Sequence, residues 1–319
     1  MRSESRSIIV ILALVTVIQY GNAQTNSAIA GRNGAISSRE NIEMLFPGGK
    51  TKALILSFDD GMVADRRLVK LMNDYGLTGT FHLNSNKLGT KDYLTKEEIK
   101  DVYKGHEVSV HTVNHPGLTN VSRAEVLYEV GEDRRELERL SGDLVRGMAY
   151  PFGNCNDSVV GIIRGLGIEY ARTVKDTYTF GIPDEFLKWH PTIHQFGKAY
   201  FTSDNPENDK KELAGFYQVV NHFLKTDSLA LMDVWGHSWE NNGAGDRWTE
   251  MENFFKMVSG NPDIYYTTQI GLVDYINAFK NLKFSVDKSM ATNLSSINVF
   301  VKLNGTALEI EAGSTKRLF

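Results

Sequence analysis

The stretch Lys52-Ala53-Leu54-Ile55-Leu56-Ser57-Phe58-Asp59-Asp60-Gly61 decides the fold. Ala53 to Leu56 is a continuous apolar run, the pattern of a strand covered on both faces of a parallel sheet; a strand with one wet face would alternate. The run ends on two carboxylates and a glycine, so a buried strand delivers charged groups at its C-terminal end. A helix is expected next, over Val63 to Tyr75, stopped by Gly76.

Outward from this unit the same alternation repeats. Strand-like runs lie near Thr80 to Leu83, Glu107 to His111, Gly147 to Tyr150, Ile168 to Val174, Leu229 to Trp235 and Ile264 to Thr268, separated by amphipathic helical stretches. Thr95-x-x-Glu98 and Ser122-x-x-Glu125 are capping-box starts, which satisfy the exposed backbone donors of a first helical turn. Successive βα units imply parallel strands with right-handed crossovers. The expectation is an α/β fold, a distorted (β/α) barrel of about seven parallel strands over residues 49–282. No glycine-rich G-x-G-x-x-G follows a strand, which counts against a dinucleotide site. Beyond Leu282 the period changes: Ile297 to Val301 and Ala307 to Ile310 flank Asn304-Gly305, a hairpin dipeptide, so residues 283–319 are expected to form a small β appendage.

In the other direction, residues 24–48 are polar, carry no sustained period and read as a linker or arm. Residues 1–23 have the form of an export signal: Arg2 and Arg6, an apolar run from Ile8 to Ile18, and small residues before a cleavage expected near Ala23. The run is too short to span a bilayer, so the mature chain is expected to be secreted, periplasmic or at the cell surface, with no stable membrane span. A formal charge of −4, without a basic block interleaved with aromatics, argues against a nucleic-acid partner. Cys155 is the only cysteine; no disulfide within the chain can form, and no nucleophile motif surrounds it.

In a βα barrel functional groups gather where strands end and loops begin. Four strand ends supply them: Asp59-Asp60-Gly61, His111-Thr112-Val113-Asn114-His115, Tyr150-Pro151-Phe152-Gly153 and Trp235-Gly236-His237-Ser238-Trp239. Two histidines spaced i, i+4 can face one point if the loop turns helically, and a carboxylate from another strand completes three N/O ligands with one position open. That set suits zinc, and equally nickel, cobalt or manganese. Neighbouring aspartates in an extended chain point apart, so one is expected to bind metal while the other acts as a base. Either fragment alone is common in turns and on surfaces; their coincidence at successive strand ends carries the reading.

Ser57-Phe58-Asp59-Asp60-Gly61 resembles the T/S-F-D-D-G motif of the polysaccharide deacetylase family (NodB homology, carbohydrate esterase family 4), and His111 to His115 is similar to its H-S/T-x-x-H motif. The resemblance covers roughly Lys52 to Phe279. It implies that Asp59 is the general base, that Asp60, His111 and His115 hold one divalent metal, that His237 is the general acid, and that the backbone N–H of Phe152 helps hold the oxyanion. Two features depart from the family pattern. Ala149 stands where many members have an arginine that orients the base, and no Asp-x-x-Asp-Trp motif is recognisable. Arg172, at the end of the next strand, is either a replacement for that arginine or half of a structural salt bridge.

The function implied is hydrolytic removal of acetyl groups from a polysaccharide or oligosaccharide, such as a polymer of N-acetylglucosamine or an acetylated xylan. The alternatives are hydrolysis of another C–N bond, in a small amide or ureide, and a non-catalytic carbohydrate-binding protein on the same fold. Trp239, two residues past His237, is the first choice for substrate contact; Trp235 on a buried strand reads as core. His82 reads as a core histidine, and one of His190 and His194 is expected to face the pocket. Glu240 and Asp246 are either loop caps or sugar contacts.

Overall fold

A computed structural model describes residues 42–197, 206–243 and 247–319. The expected export signal, residues 24–41 of the expected arm, and Asp246 lie outside the described residues. The sheet that positions the site is parallel throughout. Its strands are β2 (Lys52–Asp60), β3 (Thr80–Leu83), β4 (Glu107–Val110), β5 (Gly147–Ala149), β6 (Tyr170–Arg172), β7 (Ile193–His194), β8 (Ala230–Gly236) and β9 (Ile264–Tyr266). They run in the order β6-β5-β4-β3-β2-β8-β7, and β9 lies along the first residues of β2. Helices α1 (Asp65–Asp74), α2 (Ile99–Val102), α3 (Arg123–Ser141), α4 (Asp157–Gly165), α5 (Pro206–Lys225), α6 (Arg247–Val258) and α7 (Gln269–Lys280) alternate with the strands.

The sheet curls into a barrel without a complete ladder. The β6 edge is bridged at Arg172 to Trp189, and the same segment continues into β7, which pairs with β8. One irregular segment thus closes the gap. Strand β7 is two residues long and follows Pro191, too short for any periodic signal, and it has no counterpart in the strand pattern of the sequence.

Strand β2 explains both faces. Leu54, Leu56 and Phe58 pack outward in one core with Leu68 and Met72 of α1. Ala53 and Ile55 point inward and pack with Leu231, Trp189, Leu272 and Tyr275, which fill one end of the barrel. Ser57 and Asp59, further along the same inner face, are polar. The barrel is therefore apolar near the strand starts and polar near the strand ends.

The tail of the expected arm is ordered structure. Residues Ile42–Leu45 form β1, antiparallel to β12 (Val299–Leu303), which pairs in turn with β13 (Thr306–Ile310). Asn304 (φ 50°) and Gly305 (φ 84°) make the tight turn between β12 and β13, as their sequence implies. β10 (Lys283–Phe284), β11 (Met290–Thr292) and β14 (Thr315–Arg317) form a second small sheet. β1 escapes the sequence pattern because four residues give too few alternations and its partner lies near the opposite end of the chain. The appendage packs through Val299, Val301 and Ile310 on Ala278 and Leu282, at the end of α7. No helix among the described residues is long and apolar enough to cross a membrane.

Candidate active site

The strand ends converge on a cleft of about 680 Å³ lined by Asp59, Asp60, His111, His115, Phe152 and His237, among others. Every residue assigned a chemical role in the sequence therefore meets in one place, with Trp239 on the same wall.

The backbone at these positions is unusual. Asp60 (φ 85°), Thr112 (73°), His115 (64°) and Phe152 (60°) all adopt left-handed conformations that side chains other than glycine rarely take. Such backbone persists only where its surroundings enforce it, and it gathers at functional sites. At Asp60 it corrects the sequence argument. Neighbours in a regular strand point apart, but the positive φ at the end of β2 brings the second carboxylate back to the side of the first. Asp59 Oδ2 and Asp60 Oδ1 both lie 3.9 Å from His111 Nε2. His115 Nε2 is 4.0 Å from Asp60 Oδ1.

Those distances are too long for hydrogen bonds and suit three donors around a common point. Asp60, His111 and His115 each offer one ligand atom, all within 4.8 Å of one another. His111 Nδ1 faces the carbonyl of Ala149 at 2.9 Å, which fixes the tautomer with Nε2 bearing the lone pair. Burial holds both imidazoles in the neutral form, lowering His111 and pushing His115 down to about 4. A neutral imidazole pair beside a carboxylate fits a divalent ion of the zinc type.

Asp59 has different surroundings. Its Oδ1 accepts from Arg172 Nη2, and His82 Nδ1 stands 3.0 Å away. Burial alone would raise this carboxyl, but the Arg172 guanidinium, helped by His111 and His82, holds it well below the usual carboxylate range. Arg172 is wholly buried, with Trp235 stacked 4.8 Å from its guanidinium. It stands opposite Ala149 in the register of β5 and β6 and pairs with Asp59; the sequence names it without deciding between a replacement for the missing arginine and a salt bridge. Its signal was present: a cation ending a short buried strand.

Across the cleft, His237 Nδ1 lies 2.9 Å from Glu240 Oε1, and the His237 N–H donates to Glu240 Oε2. Glu240 is buried, flanked by His194 Nε2 at 3.3 Å and receiving a hydrogen bond from Gln195 Nε2. Burial opposes the charge on His237, but the bond to Glu240, the Glu240 charge and the two aspartates outweigh it and raise the imidazole to about 9. Glu240, which burial would raise, is held down at about 2 by His194 and His237. The His237-x-x-Glu240 spacing is that of a capping box, so Glu240 does cap the turn after β8, but it also grips the histidine side chain.

The tryptophans divide as expected, except that the buried Trp235 also reaches the cleft wall. Trp239 is exposed enough to meet a ligand and donates Nε1–H to Asp60 Oδ2 at 3.0 Å. Trp235 is buried yet lines the cleft, with Nε1–H on Asp176 at 2.7 Å. His194 lines the cleft; His190 is exposed, bonded to Thr173, and borders a separate hollow. Cys155 is half-buried and burial raises its thiol, away from the reactive form.

Comparison with known proteins matches part of the chain to one family. Residues 47–171 match the family model described as Polysaccharide deacetylase. A chitin deacetylase from Pestalotiopsis sp is 27% identical over 146 residues, 45% of this chain and 49% of that protein. The peptidoglycan-N-acetylmuramic acid deacetylase PdaC of Bacillus subtilis is 26% identical over 110 residues, 34% of this chain and 23% of that one. The chain thus spans about half the length of the first of these relatives and less of the second. A solved structure from Mycobacterium smegmatis, assigned as a polysaccharide deacetylase, superposes with a TM-score of 0.56 at 16% identity, covering 75% of this chain and 94% of that one, and so shares the fold. Over residues 47–171, which carry the paired aspartates, both loop histidines and the Phe152 turn, this chain is therefore similar to the polysaccharide deacetylase family, a match that spans less than half of its length.

Proposed function

We propose that this protein hydrolyses acetyl groups from a polysaccharide or oligosaccharide, with Asp60, His111 and His115 holding one zinc-type ion, Asp59 as base and His237 as acid. The carrying observation is that two groups held by partners of opposite charge face one cleft across the donor cluster: an aspartate clamped by the Arg172 guanidinium and a histidine clamped by the Glu240 carboxylate. Acid and base assignments follow from such divergence.

A divalent ion in the cluster would supply Lewis-acid polarisation of the acetyl carbonyl and acidify water. Asp59, kept ionised and oriented by Arg172, accepts the proton of the attacking water. So weak a base takes a proton only from an acidified water, which ties Asp59 to the neighbouring donor cluster. The Phe152 N–H, on a turn of fixed left-handed backbone, is the donor assigned to the oxyanion. His237 has Nδ1 engaged by Glu240, so Nε2–H is its remaining donor; it protonates the departing sugar nitrogen or oxygen and acetate is released. The aromatic faces of Phe152 and Trp239 suit a sugar ring, and the N-terminal signal would place the enzyme outside the cytoplasm with such polymers.

The test is acetate release by the purified protein from chitin oligosaccharides and from acetylated xylan, repeated with His237→Ala on an acetylated sugar and on a nitrophenyl acetate. A poor leaving group needs the acid and nitrophenolate does not. His237→Ala should therefore suppress sugar deacetylation far more than ester hydrolysis. Equal losses on both would remove His237 from the acid role, and no acetate from any acetylated glycan would remove the function.

A further inference from the structure

Helix α3 sits behind the loop that carries His111 and His115, and two of its buried residues are acidic: Glu129 and Asp133, one turn apart. Neither carboxylate touches a side chain of the donor cluster. Asp133 Oδ1 accepts from the Ser85 N–H at 2.8 Å and Oδ2 from the His111 N–H at 3.0 Å. It therefore joins the chain just past β3 to the chain just past β4. Glu129 Oε2 accepts from the Asn114 N–H at 2.8 Å, Oε1 from Asn114 Nδ2 at 2.7 Å, and its backbone carbonyl from the Val113 N–H at 3.0 Å. Asn84 Nδ2 holds the carbonyls of His111 and Thr112, and the His115 N–H is held by Thr112 Oγ1.

We propose that Glu129 and Asp133 are positioning residues that set the His111–His115 loop in its ligating shape before any metal arrives. Left alone, a segment with Thr112 and His115 at positive φ would relax to ordinary backbone and separate the two imidazoles. Carboxylates are suited to prevent this, because each offers two acceptor oxygens and can take two N–H donors at once. Glu129 and Asp133 are themselves buried, which shields their oxygens from competing water. The stiffness of α3, nineteen residues long and capped by Ser122, passes to a loop with little regular structure of its own.

The inference rests on the reading that this loop holds a metal, and the test separates the two. Zinc and cobalt are titrated into the metal-free full chain by calorimetry, for wild type, Asp133→Asn, Glu129→Gln and Asn114→Ala, with thermal unfolding of each. Asn114→Ala removes one of the two bonds to Glu129, together with an exposed bond from Asn86 Nδ2, and lies on an exposed residue, so it reports even if a helix variant fails to fold. Loss of such supporting partners typically weakens metal about tenfold to a hundredfold. That range is expected for Asp133→Asn and Glu129→Gln, with a smaller loss for Asn114→Ala. At saturating cobalt the visible spectrum should match wild type, since the ligands are unchanged. Wild-type affinity in folded variants overturns the inference and leaves the metal site standing. Absence of binding by the wild type overturns the metal site and the inference with it.

Discussion

Asparagine at position 59 and at position 60 should produce two different defects, although the residues are neighbours. Asp60 contributes its oxygen to the donor cluster, so Asp60→Asn should weaken metal affinity. Asp59 is committed to Arg172, so Asp59→Asn should retain metal and lose turnover by about 10²- to 10⁴-fold, the usual scale of general-base catalysis. Metal content by elemental analysis and kcat on one acetylated oligosaccharide separate the two; equal loss of metal would refute the division. The pairing of aspartates was legible in the sequence, and so was the expectation that the two would divide the work. The geometry was not. Regular strand alternation predicts opposite directions, and only the positive φ of Asp60, a consequence of the turn into Gly61, shows how both reach His111.

At the scale of elements, the strand ends were legible and their supports were not. Long apolar runs such as β2 and β8 announce themselves, and the chemistry at their ends follows from the rule that barrels present residues there. Glu240 and Gln195 sit on turns whose partners are set by closure of the barrel through residues 189–194, which has no periodic signature. Glu240 offers a test at this level. It keeps His237 protonated up to about 9, so the acid should function below that pH and fail above it. In Glu240→Gln the imidazole loses its charged partner and its pKa falls towards the ordinary 6.5. The alkaline limb of kcat/KM should move to lower pH, with Asp59, Asp60, Asp65 and His194 as the other charged or titratable neighbours left in place. An unmoved alkaline limb would show that another group governs it.

For the whole molecule, the two ends of the described chain pair as β1 and β12, and one side chain of the barrel fastens that pair. Tyr275 of α7 donates its hydroxyl to the Leu45 carbonyl in β1 and accepts from the Phe300 N–H in β12 at 2.9 Å. Tyr275→Phe strands both groups in a buried site, at about 1–3 kcal/mol, which lowers Tm by a few degrees in a domain of this size. Because Tyr275 is remote from the cleft, acetate release at low temperature should be unchanged; a large loss would mean that the appendage supports the site itself. None of this was readable locally: β1 and β12 are separated by the entire barrel, and only the hairpin between β12 and β13 carried a short-range signal.

Deacetylation in this cleft is proposed to need a metal held by Asp60, His111 and His115, and that need is open to experiment. It is tested most directly by stripping the protein with chelator and following acetate release from a chitin oligosaccharide or acetylated xylan as zinc or cobalt is added back, in wild type and in His111→Ala. The stripped protein should release none, recovery should saturate at about one ion per chain, and His111→Ala should not recover. Acetate release that survives stripping, or that returns equally in His111→Ala, would contradict the need for that metal.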